Sequence, residues 1–175
     1  FKQRISAIEA YWALRKKVET TNANELLQQK LKEEDVAYER EKDANFKNFT
    51  ELTKLQDEYY EKKNEEIGVM LKKGLITEEE ALKQRQELED EYDEISRKMQ
   101  TEYFRKDTVL RIQHETNVER LEQNKNANLK KINSEYYQSI LQELRDFQTA
   151  QSNLESRNNQ VTTTLGLIDI KKTKE

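Results

Sequence analysis

Lys72-Lys73-Gly74-Leu75-Ile76-Thr77-Glu78-Glu79-Glu80-Ala81 is the stretch that decides the fold. Each residue suits one helix ending and another beginning. Lys72 and Lys73 place positive charge where it complements the dipole of a helix carboxyl end. Gly74 can take the left-handed conformation that closes a helix without a Cβ clash. Thr77 and Glu80 form a threonine-x-x-glutamate capping box, and Ile76 can staple onto Ala81. Glu78 and Glu79 favour the amino-end dipole of the second helix. A connection this short makes its two helices antiparallel neighbours. The corner is therefore at 74–77, with Gly74, Ile76, Thr77 and Glu80 as its structural residues.

Composition agrees with long helices. The 175 residues include no proline, no cysteine and only three glycines. The commonest helix breaker is missing, and most tight hairpin turns are too, which excludes sheet-rich folds. Cysteine-ligated zinc, iron–sulfur and disulfide scaffolds are excluded as well. Charged residues make up 38% of the chain and hydrophobic ones 34%, against about 25% charged in an ordinary domain. No apolar run approaches the roughly 20 residues that span a bilayer. The first residue is phenylalanine rather than methionine, which reads as a fragment or processed piece of a longer protein.

The apolar pattern runs outward from the corner in both directions. Upstream, Phe1, Ile5, Ile8 and Trp12 step by 4, 3 and 4. The segment 19–25 interrupts this stripe, and Asn22 with Glu25 reads as a helix start. A second stretch carries Leu27, Leu31, Phe49, Leu52, Leu55, Tyr59, Ile67 and Met70. Downstream, Leu88, Tyr92, Ile95, Met99 and Tyr103 step by 4, 3, 4 and 4. That alternation is the coiled-coil pattern, and Leu144 and Phe147 prolong it. The expected packing seam is Leu52, Tyr59, Ile67, Leu88, Tyr92, Ile95, Met99, Tyr103, Leu144 and Phe147. Helices are expected over about 1–19, 22–73 and 77–159. Residues 161–175 are β-branched and carry Gly166, and they read as an extended tail.

Reflecting the chain about the corner, near position 75.5, pairs Tyr59 with Tyr92, Leu52 with Met99 and Ile67 with Gln84, and brings Phe49 near Tyr103. Apolar stretches face apolar stretches. The fold class expected is all-α: an elongated antiparallel helical hairpin or coiled coil, roughly 110 Å long at about 1.5 Å per residue. Residues 1–160 form its helical region. So narrow a seam offsets little conformational entropy, so a second copy or other helical partners are expected.

Little in the pattern points to chemistry. His114 is the single histidine, with no second histidine or any cysteine to share a metal, and it reads as a half-buried polar residue of the seam. The run Glu87, Glu89, Asp90, Glu91, Asp93 and Glu94 lacks the glycine-bearing loop of a calcium site and reads as a solvated face. In the doublets Tyr59-Tyr60 and Tyr136-Tyr137 one ring enters the seam and the other flanks it. Residues 78–102 carry ten acids and four bases, and residues 105–131 seven bases and four acids. This dipolar distribution suits antiparallel or staggered helix pairing better than duplex binding. No catalytic, cofactor-binding or metal-ligating residue is assigned. No enzyme activity, cofactor, small-molecule substrate or direct nucleic-acid ligand is expected.

The run Gly74-Leu75-Ile76-Thr77-Glu78-Glu79-Glu80-Ala81, followed by Leu88 and Tyr92, resembles corners of two groups. One is the helical region of bacteriophage tail tape measure proteins. The other is the short carboxy-terminal helical-hairpin domain of many bacterial proteins. The segment from Leu141 to Ala150 and the run Gly166-Leu167-Ile168-Asp169-Ile170-Lys171-Lys172-Thr173-Lys174 also look like tape measure helices. The resemblance implies a structural protein that occupies the tail lumen, sets tail length and meets other tail proteins. Outside a virion tail, a cytoplasmic coiled-coil scaffold, or a regulatory hairpin attached to an enzyme, is the alternative.

Overall fold

The computed structural model describes residues 2–174, with side chains described for residues 2–166. It is an all-α hairpin. Helix α1 spans Lys2–Lys72 and α2 spans Glu78–Lys174. Phe1 lies outside the described residues, as do the side chains of Leu167, Ile168, Asp169 and Ile170.

The corner is built as its residues demand. Gly74 has φ of 72°, the one positive value among the described residues. Its N–H bonds the carbonyl of Leu71 at 3.1 Å, and the N–H of Leu75 bonds that of Met70 at 2.9 Å. This crossed pair of bonds satisfies carbonyls that a helix end leaves open. The hydroxyl of Thr77 then accepts the N–H of Glu80 at 3.2 Å, capping α2. Ile76 packs against the core cluster of Ile67, Ala81 and Leu88, so the staple between Ile76 and Ala81 forms.

Two expected interruptions are helical. α1 runs unbroken through 19–25. Ala23 and Leu27 are buried there, and packing of these two side chains outweighs the weak local propensity that suggested a start at Asn22. α2 likewise continues through 161–174 instead of giving way to an extended tail. The hydroxyls of Thr162, Thr163 and Thr164 bond the carbonyls of Asn158, Asn159 and Gln160 at 2.9, 2.9 and 2.8 Å. Threonine thus spends its hydroxyl inside the helix, which removes much of its reason to leave. Gly166 does not mark a departure from helix.

The paired helices divide into two compact units, Phe1–Gln28 with Glu122–Glu175, and Gln29–Leu121. In the Gln29–Leu121 unit the corner cluster is the tightest part. Ala81 is 2% exposed, Ile67 6% and Leu88 9%. The other unit is organised around Ala23, Leu27 and Ile132.

Burial follows an 11-residue period rather than a heptad. In the Gln29–Leu121 unit, α2 turns inward Ala81, Tyr92, Tyr103 and His114, and also Leu88, Met99, Leu110 and Leu121. α1 turns inward Glu34, Asn45, Gln56 and Ile67, and also Tyr38, Phe49, Tyr60 and Leu71. Eleven residues in three turns give about 3.67 per turn, near the value of an unstrained helix, so the seam needs no left-handed supercoil.

Candidate functional site

The most organised feature of the chain is a series of aromatic rungs between α1 and α2 in the Gln29–Leu121 unit. Tyr60 meets Tyr92 with ring centroids 4.9 Å apart, Phe49 meets Tyr103 at 4.6 Å, and Tyr38 stacks on His114 at 4.3 Å. Each step moves 11 residues back on α1 and 11 forward on α2. All three pairs are centred on Ile76, half a residue from the expected reflection point. An aromatic pair of this kind contributes about 0.5–1.5 kcal/mol beyond its buried area.

Every rung also carries a polar side chain from α1, four residues before the aromatic one. The amide of Gln56 donates to the Tyr92 carbonyl at 2.8 Å, and that of Asn45 to the Tyr103 carbonyl at 3.3 Å. At the third rung Glu34 takes this place. Its carboxylate lies 3.4 Å from Nδ1 of His114 and accepts from Asn117 at 3.0 Å. Asp35 stands 3.3 Å from the other ring nitrogen of His114. The histidine therefore lies in the seam, as its spacing suggested, with carboxylates facing both nitrogens.

Three side chains, Tyr92, Glu102 and Arg105, titrate away from their ordinary ranges. The Tyr92 hydroxyl donates to Asp57 at 2.6 Å, and this bond, aided by burial, raises the Tyr92 pKa above that of a free phenol. Arg105 forks onto Glu102 at 2.6 and 3.1 Å. The pairing lowers the Glu102 pKa and raises that of Arg105.

The expected seam is placed as follows. Ile67 and Leu88 are buried, and Tyr92, Ile95, Met99, Tyr103, Leu144 and Phe147 are half-buried. Leu52 and Tyr59 are not seam residues: they are 44% and 48% exposed. Each stands one residue, about 100° of helix, from an inward-facing neighbour: Tyr60 takes the place expected of Tyr59, and Thr53 that of Leu52. Ile67 joins Ala81 and Leu88 rather than facing Gln84 alone. Leu52 and Met99 still share one groove, together with Phe49 and Tyr103. The amides of Asn45 and Gln56 escaped the apolar search because they are polar. The recurrence Leu88, Met99, Leu110, Leu121, Ile132 at steps of 11 shows the period of the seam but not these amides.

In the unit Phe1–Gln28 with Glu122–Glu175, basic side chains cover the aromatics. Lys16 sits 4.8 Å over Tyr136 and 5.9 Å over Tyr137, and Arg4 sits 5.2 Å over Phe147. Such contacts contribute about 0.5–1 kcal/mol each where exposed. Tyr136 turns inward while Tyr137 is 57% exposed. The indole N–H of Trp12 donates to Glu143.

Among the described residues no group of three or more His, Cys, Asp or Glu is arranged to hold a metal ion, and no helix is long and apolar enough to cross a membrane. Comparison with protein-family models, curated proteins and solved structures finds no match.

Proposed function

We propose that this chain is a non-enzymatic structural hairpin, of the tape-measure-like kind that its corner resembles, serving as a length element in an elongated assembly. The observation that supports this reading is the rung series. The seam's aromatic and amide groups are spent on holding helix to helix at one repeating interval. Length in such an element comes in units: one repeat removed from each helix leaves every remaining rung in register. A tail lumen is the setting that the resemblance suggests, with other helical tail proteins or further copies as neighbours.

Deleting 46–56 and 93–103 together in the intact parent protein tests the proposal. Tails measured by electron microscopy should assemble and differ in length from the wild type. Normal assembly at unchanged length overturns the tape measure reading. Deleting 46–56 alone should slide the rest of α1 by one whole repeat, setting Tyr38 against Tyr103 and Leu27 against His114, and should lower stability through the mismatched rungs without abolishing helix pairing.

A second reading, a coiled-coil interaction module of a cellular protein, is favoured by the large apolar side chains on outward faces, such as Leu55 at 61% and Phe104 at 62% exposed. Phase-separated burial and exposed apolar side chains on one helix are what a bundle-forming segment presents to partners.

A further inference from the structure

We propose that the groove beside the Phe49–Tyr103 rung is a self-association surface, closed by a second copy of this chain in antiparallel orientation. The inference is independent of any tail setting. The groove encloses about 290 Å³. Phe49, Met99 and Tyr103 form its floor, Asn48 and Leu52 its α1 wall, and Lys98, Glu102 and Lys106 its α2 wall. Along α1 the wall continues as Leu52, Leu55 and Tyr59, spaced three and four residues apart and 44%, 61% and 48% exposed. That spacing is one face of a helix, and it presents an apolar stripe where a further helix would complete a bundle.

The stripe is self-complementary under a two-fold axis. An axis midway between Leu55 and Gln56 sets Leu52 of one copy on Tyr59 of the other and brings the two Leu55 side chains together. In the rung register that point on α1 lies opposite Arg97 of α2. The same axis therefore places Glu87 opposite Lys106, and Glu91 opposite Glu102 with Arg105 beside it. The α2 wall is acidic on the corner side, at Glu87, Glu91 and Glu94, and basic beyond it, at Arg105 and Lys106. Antiparallel copies thus set Glu87 of each against Lys106 of the other, one opposite-charge contact at either end of the shared surface. Two groups on this face are already satisfied internally: Glu94 pairs with Lys98 at 3.1 Å, and Glu102 with Arg105 at 2.6 Å. Glu102 comes nearest to Glu91 of the other copy, and its bond to Arg105 keeps that approach from being a bare repulsion.

The cysteine-free sequence permits a direct test on the whole chain. Leu55→Cys should form a disulfide-linked dimer on mild oxidation, because the axis passes beside it, whereas Leu82→Cys, 71% exposed on the outer face of α2, should form no disulfide cross-link. Light scattering should give the mass of a dimer for the unmodified chain and of a monomer for Leu55→Lys, with helical circular dichroism unchanged. Glu87→Lys and Lys106→Glu should each weaken association by about tenfold or more, because the two-fold axis repeats the pair and each change alters both contacts, and the double reversal should restore it. A monomeric wild-type chain, a dimer indifferent to Leu55→Lys, equal cross-linking from position 82, or a double reversal no tighter than the single ones would each overturn the proposal.

Discussion

Tyr92 is held at both ends by consecutive residues of α1: its hydroxyl donates to Asp57 at 2.6 Å and its carbonyl accepts from Gln56 at 2.8 Å. The tie makes the hairpin sensitive to alkali. Because the folded state raises the pKa of Tyr92, the bond's contribution is complete below the pKa of an unfolded tyrosine, about 10. It is lost as pH climbs through the higher folded value. Tyr92→Phe should cost about 1 kcal/mol near neutrality and should flatten the fall in stability above pH of about 10. Urea titrations across that range check both effects.

Asn45 is the buried polar residue of the α1 face, 5% exposed, and bonds the Tyr103 carbonyl at 3.3 Å. A polar residue in a helical seam costs stability and specifies register. Asn45→Leu should therefore raise the melting temperature, while Asn45→Ala should lower it through the space it leaves. Hydrogen exchange should show weaker protection in the leucine variant around the Phe49–Tyr103 rung, where alternative alignments become accessible.

The glycines at 68 and 74 should respond in opposite directions. A Cβ at Gly74 meets nothing within 4 Å, yet its φ of 72° penalises any side chain. Gly74→Val should cost about 1 kcal/mol or more from backbone strain alone. Gly68 lies in a regular helix, and a Cβ there would sit 3.6 Å from the guanidinium of Arg85, an ordinary contact. Gly68→Ala should stabilise by about 0.5–1 kcal/mol. Chemical denaturation of the two variants side by side would reveal the sign of each.

His114 occupies the rung position that Tyr92 and Tyr103 hold in the two repeats nearer the corner. His114→Ala removes a stacked pair and leaves Glu34 and Asp35 facing a gap. A loss of about 1–2 kcal/mol is expected from the missing stack and contacts. His114→Phe should recover most of the stacking portion in a thermal melt, separating it from the carboxylate contacts.

The corner was legible residue by residue, because caps are local: Gly74 closes α1, the Thr77 hydroxyl takes the N–H of Glu80, and Ile76 packs on the cluster that holds Ala81. Antiparallel pairing followed from the corner's length. The seam was legible only in part. Steps of three and four describe both a heptad and an 11-residue period over a short window, and they diverge as the helix lengthens. Leu52 and Tyr59 each lie one position off the seam, beside the half-buried Thr53 and Tyr60, because exposed apolar side chains on a neighbouring face look the same in sequence as seam residues. Asn45, Gln56 and Glu34 were hidden for another reason. Their partners are backbone carbonyls and a ring across the hairpin, which no pattern within one helix displays. The tail at 161–174 misled because the propensity of threonine describes an average side chain, whereas Thr162, Thr163 and Thr164 all return their hydroxyls to the helix.

The period of the rungs has a genetic consequence. A codon gained or lost in either helix would put every contact beyond it, counted from the corner, out of phase with the opposite strand of the hairpin. A change of a few codons is silent to folding only when a second, matched event restores the phase. Such coincidences are rare, so the span of this gene segment should drift far more slowly than its individual surface positions.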